Sequence, residues 1–222
     1  MQIRAAELIE MIDLPPRPIL RGRLHQVACL ASIVGLVWLV RSAPTPRAQV
    51  AAWIYGLASV LLYLTSSSYH VFARSPQARR IMQRADHSMI FVLIAGSFTP
   101  IAVLGVSTPL KWPALAIVWT GALAGIVLKV VALDRYPRLG GAMYIVVGWA
   151  GAIILPAMWD RPATLALVAL GGLLYTAGAI LFALRRPILS ERWFGYHEVW
   201  HAFGVAAGAV LFVANLGLVR AG

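Results

Sequence analysis

The sequence predicts an all-α integral membrane bundle of seven transmembrane helices. Three observations carry that expectation. Of 222 residues, 60% are hydrophobic and only 12% charged, with a mean hydropathy of +0.79; a soluble domain cannot bury so much apolar surface. The apolar residues gather into seven stretches, at about 24–41, 48–72, 87–106, 112–133, 140–158, 163–184 and 196–219. Each is close to the ~20 residues with which a helix crosses ~30 Å of hydrocarbon. Basic residues, finally, crowd every second connection, as they do in a chain threaded back and forth through a bilayer.

Residues 1–23 read as a cytoplasmic N-terminal segment, mixing acids and arginines around Pro15-Pro16. They hold no apolar run before a small-residue cleavage site, so the first span is expected to serve as an uncleaved insertion signal. Within them, Ile3, Leu8, Ile9, Met11 and Ile12 among charges suggest a short interfacial helix over 3–13. Residues 24–219 form one transmembrane domain. Connections such as Ser42–Arg47 and Asp160–Pro162 are too short for anything but antiparallel neighbours. Trp112, Trp159, Trp193 and Tyr196 sit at span edges as interfacial anchors. Gly121, Gly125, Gly171 and Gly172 suit close helix packing. Lys129, near the end of the fourth span, is expected to snorkel outward to the headgroups.

The N-terminus and the loops after spans two, four and six carry Arg4, Arg17, Arg21, Arg23, Arg74, Arg79, Arg80, Arg84, Lys129, Arg135, Arg138, Arg185, Arg186 and Arg192. The opposite side carries only Arg41, Arg47, Lys111, Arg161 and Arg220. The N-terminus is therefore expected in the cytoplasm and the C-terminus outside. The net charge of +11 fits anionic headgroups; without a basic-aromatic surface it does not indicate nucleic acid. Cys29 is the single cysteine, which excludes an intrachain disulfide and a thiolate metal cage.

Ionisable side chains at a bilayer edge are costly to desolvate and mark function by default. With the spans and sidedness set by hydropathy and arginines alone, His70, Asp86, His87, His197 and His201 all fall at the cytoplasmic edge. His197 and His201 form an i, i+4 pair on one helix face. With His70 from span two, they make a set of three nitrogens that can hold a zinc ion and leave a fourth position open. Ser66 lies one turn before His70 on the same face, within reach of a bound water or substrate oxygen. Asp86, the one acid between Asp13 and Asp134, can position water or act as its base. His87 points about 100° away from Asp86 and suits a supporting or interfacial place. His25 opens span one at the same edge and suits an interfacial or packing role, with pocket lining as the alternative. His197-Glu198-Val199-Trp200-His201 also matches the H-E-x-x-H of zinc proteases, where the glutamate is the base. No acid follows Glu198 to complete such a site, which makes His70 the better third ligand.

Ser66-x-x-x-His70, Asp86-His87-Ser88-Met89-Ile90-Phe91 running into Ala95-Gly96-Ser97-Phe98-Thr99-Pro100, and His197-x-x-x-His201 together resemble the hemolysin III family. That family is the bacterial branch of the progestin and adipoQ receptor (PAQR) proteins. Tyr144 with Gly148-Trp149, and Tyr175 with Gly178, fit its middle spans, and the resemblance runs from about Arg21 onward. Leu24-His25-Gln26-Val27 departs from the Thr-His-x-x-Gly found in many members, and Ser97 replaces a frequent threonine. Neither departure touches the proposed ligands. The resemblance implies seven helices with a cytoplasmic N-terminus, in a multi-pass protein of the bacterial inner membrane. It also implies zinc on His70, His197 and His201, with Ser66 and Asp86 close to the metal water. Alkaline ceramidases, similar in motif, hydrolyse a lipid amide.

The leading expectation is a zinc-dependent hydrolase of a lipid amide or ester, with membrane lipids as its partners. One alternative is a non-enzymatic sensor or regulator of membrane homeostasis with structural zinc. Another is a pore-forming cytolysin, which the scarcity of polar residues along the spans disfavours.

Overall fold

The computed structural model describes residues 18–132 and 135–222; the expected interfacial helix at 3–13 lies outside them. Among the described residues, seven helical segments are long and apolar enough to cross a membrane. The α-helices are α1 (Arg23–Ser42), α2 (Pro46–Phe72), α3 (Pro76–Gly105), α4 (Lys111–Ala132), α5 (Pro137–Ala150), α6 (Pro162–Ala183) and α7 (Tyr196–Ala221). A 3-10 helix, Gly151–Met158, continues α5 and contains Pro156; the fifth span, Leu139–Met158, takes in both.

Local sequence sets the starts. Thr45 accepts the Ala48 amide at 3.2 Å and Ser75 accepts the Ala78 amide at 3.1 Å, with Pro46 and Pro76 at the following position, where a missing N–H costs nothing. Ser75-Pro76 also explains the one large boundary difference. Hydropathy places the third span at 87–106, whereas the helix starts at Pro76. Its first three turns, carrying Arg79, Arg80 and Arg84, are too polar to register as a span yet are fully helical. Asp86 and His87 thus stand well inside α3 instead of opening it.

Consecutive helices pack side by side, and α7 closes the ring against α1. The centre belongs to α3, which touches α2, α4, α5 and α7 and is the most buried span. Small residues permit this. The Phe91 ring of α3 lies where a Gly125 side chain would stand on α4, and Ala58 of α2 crowds Gly96. Gly171 would meet Leu211 at 2.7 Å. These glycines serve helix approach, as their sequence context suggests. Lipid tails give no hydrophobic drive between helices, so such contacts hold the bundle.

Replacing Gly125 with alanine must push α3 from α4 and is expected to cost about 1–3 kcal/mol. Gly148, with nothing within 4 Å of an added Cβ, should accept alanine within about 0.5 kcal/mol. Unfolding of the two variants in detergent micelles checks the contrast.

Candidate metal centre

Antiparallel packing brings the end of α2 and the beginnings of α1, α3 and α7 together. Tyr196 starts α7, so His197 and His201 occupy its first two turns on one face. α2 runs the other way and delivers Ser66 and His70 in its last two turns. One nitrogen from each of His70, His197 and His201 lies within 4.8 Å of the other two. The three rings form a nearly equilateral triangle, with centroids 4.7, 4.9 and 4.7 Å apart.

The donor set fits a metal ion. The Nε2 atoms of His70 and His197 face each other at 3.2 Å. Two nitrogens bound to one tetrahedral zinc at about 2.0–2.1 Å would stand roughly 3.3 Å apart. His70 and His201 are buried and His197 partly so. His201 Nδ1 is buried without a hydrogen-bond partner, an imidazole edge that the protein does not itself satisfy.

Asp86 brings a carboxylate to the same place. Its Oδ2 lies 3.9 Å from His70 Nε2, beyond a direct hydrogen bond and within ion-pair range. The Ser66 hydroxyl is turned to that carboxyl, and both residues are buried. The five residues singled out in the sequence thus meet in one interior site.

Of the roles the sequence leaves open for His25, the structure shows packing beside the site: it is buried and stacks flat on His201, centroids 3.9 Å apart and planes within 4°. Its other side meets Tyr63 edge-on at 5.1 Å. It holds the plane of the His201 ring. The surroundings differ from expectation in two places. Lys129 does not snorkel outward; it is 5% exposed, on the inner stripe of α4. Gly140 leaves room for its side chain and the Tyr144 ring lies under its ammonium. The second difference is a strap, residues 18–23, that no hydropathy pattern announces. Ile19 and Leu20 donate their amides to Arg192 and Trp193 carbonyls at 2.9 and 3.3 Å. Arg21 then pairs with Glu198.

That ion pair bears on the H-E-x-x-H motif. Glu198 is 1% exposed. One carboxylate oxygen takes Arg21, and the other accepts the Gly195 amide at 2.8 Å. Both are engaged in capping α7 and holding the strap. His87 gives its backbone carbonyl to the Tyr144 hydroxyl at 3.0 Å.

Gly22 was missed by sequence reasoning, and only its position between two arginines before the first span hinted at it. It has φ 79°, the left-handed region that glycine adopts freely. An added Cβ would come 2.6 Å from the Cβ of His70. Gly22→Ala is therefore expected to displace His70 and weaken metal binding about 10–100-fold, measured by competition with a chromophoric chelator. Unchanged affinity would separate the strap from the site.

With this geometry in place, comparison with known proteins gives a consistent answer. The family described as Haemolysin-III related matches residues 15–212. Hemolysin-3 of Bacillus cereus is 32% identical over 197 residues, 86% of this chain and 87% of that one. The human monocyte to macrophage differentiation factor is 25% identical over 194 residues, 86% and 79% of the two chains. The Drosophila melanogaster adiponectin receptor protein is 26% identical over 213 residues, covering 84% of this chain and 47% of its own.

Proposed function

The chain belongs to the haemolysin-III-related family, and on that premise we propose that it is a zinc-dependent hydrolase of an amide or ester in a membrane lipid. The observation that carries this reading is the meeting of three imidazoles with a carboxylate and a hydroxyl inside a membrane bundle. Imidazoles alone would serve a structural metal. A buried carboxylate beside them adds a group that can hold a proton.

His70, His197 and His201 would hold the ion, whose chemistry is to polarise a carbonyl and to make water acidic enough to attack near neutral pH. Asp86 orients the attacking water, accepts its proton at a carboxylate oxygen and returns it to the leaving amine or alcohol as the C–N or C–O bond breaks. Ser66 donates a hydrogen bond to that carboxylate and keeps it turned to the site. His25 holds the His201 ring in plane by stacking. The bundle interior excludes bulk water, so these polar groups act in a low dielectric where each interaction counts for more. A lipid chain needs no solvation by water here, and its polar group can sit at the depth of the histidines.

Two other readings make different demands. A pore would need a polar lining, whereas the centre is filled by Phe91, Ala95, Phe98, Ile101 and Ala102. A membrane-state regulator would need the three ligands but neither Asp86 nor Ser66 as reactive groups.

Purified protein is expected to carry one zinc per chain, and His197→Ala to carry none. Asp86→Asn and Ser66→Ala should retain the metal. Asp86→Asn should lose lipid turnover about 10²–10⁴-fold, read by lipid mass spectrometry on reconstituted vesicles. Wild-type lipid profiles indistinguishable from those of His70→Ala would sink the hydrolase and favour the regulator. Glu198→Gln should keep both metal and turnover while melting earlier, because it loses the Arg21 pair and not a catalytic base.

A further inference from the structure

α4 turns one stripe toward the bundle: Ala114, Val118, Ala122, Gly125 and Lys129, spaced three or four residues apart as one helix face requires. Four of these are small or apolar and pack. The fifth is an ammonium, 5% exposed. Its place is built by its neighbours. Its Nζ stands 5.1 Å from the centre of the Tyr144 ring. Gly140 leaves room for its chain, since an added Cβ there would meet Lys129 Cε at 2.8 Å. Tyr144 is in turn fixed by its bond to the His87 carbonyl and by Phe91, whose ring centroid is 4.5 Å away. Lys129 therefore stands level with Asp86 and His87, on the α4–α5 side of the site.

Among the described residues, the seat holds no anion: no carboxylate lies within ion-pair distance of Nζ, and no oxygen accepts a hydrogen bond from it. A ring face offsets only part of the cost of withdrawing an ammonium from water. Intramembrane cations that face a bundle interior are kept for a partner. The depth suggests which partner. Lys129 is one turn from the end of α4 at Ala132, on the end of the bundle that carries Arg79, Arg80, Arg84, Arg185 and Arg186. Such a belt concentrates acidic lipids.

We propose that Lys129, seated on Tyr144 and Gly140, binds the phosphate of an acidic lipid headgroup and so holds that lipid beside Asp86 and the three histidines. This names a substrate class for the hydrolase reading and rests on it for the consequence. The binding itself is independent of turnover, so the two can fail separately.

The test uses the full chain in nanodiscs, with phosphatidic acid and phosphatidylcholine as probes and native mass spectrometry as the readout. Lys129→Met keeps the length and apolar stem of the side chain and should fold. It is expected to weaken phosphatidic acid binding tenfold or more, leaving phosphatidylcholine and the metal content unchanged. Lys129→Arg should restore most of the binding. Equal phosphatidic acid binding by wild type and Lys129→Met would overturn the proposal, as would equal loss of both lipids. Displacement of phosphatidic acid by millimolar inorganic phosphate would assign the lysine to a free anion and overturn the lipid. If binding follows expectation while turnover is absent, the hydrolase reading fails and the headgroup site stands.

Discussion

Imidazole nitrogens drawn into a bilayer must find partners, because hydrocarbon offers none. That constraint organises one end of this molecule. The Nε2 atoms of His70 and His197 face each other at 3.2 Å. Two neutral rings in that position share one proton at best, and two protonated rings would repel. His201 joins the same pair at ring-contact distance. A single cation that takes a lone pair from each would serve all three rings at once.

Holding three rings in register requires a firm frame, and the frame is assembled from residues with no metal chemistry of their own. Glu198 caps α7 and fixes the turn that carries His197 and His201, while Arg21 ties the strap to it. Gly22 lets the strap pass against His70 at a separation no other residue permits. His25 presses flat on His201. Each contact removes a rotational freedom that a metal would otherwise have to freeze out on binding, so the frame would raise the affinity for such an ion through preorganisation. The motif H-E-x-x-H is thereby divided. Its histidines present their rings to the site, and its glutamate secures the helix from behind.

The fold was legible because a bilayer imposes length and polarity on every span, and both are one-dimensional properties. Six of the seven apolar stretches coincide with helices to within a few residues. The exception, α3, shows the limit of hydropathy: Ser75-Pro76 starts a helix that its arginine-rich first turns disguise. The principal site residues were legible for a related reason. Helix periodicity and sidedness place His70, Asp86, His197 and His201 at one level, and Ser66 a turn deeper. His25, Gly22 and the inward turn of Lys129 were not, because each depends on what a neighbouring helix presents. A lysine near a span end ordinarily reaches for water. Only the gap at Gly140 and the ring of Tyr144 give this one an inward course.

The site is consequently two-sided. α2 and α7 supply the nitrogens, α3 supplies the carboxylate, and α4 with α5 supplies a cation and an aromatic seat at the same depth. Asp86 stands on the helix that touches both halves. Any displacement of α3 along its axis would shift the carboxylate relative to the histidines and the Tyr144–His87 tie together. Phe91 on Gly125 and Ala58 against Gly96 resist that displacement at the next turns of the helix. The tight packing of small residues along α3 and the candidate site at its end are therefore one design: the close approach that a membrane bundle needs for stability also fixes the spacing between a carboxylate and three imidazoles on which the proposed hydrolase reading rests.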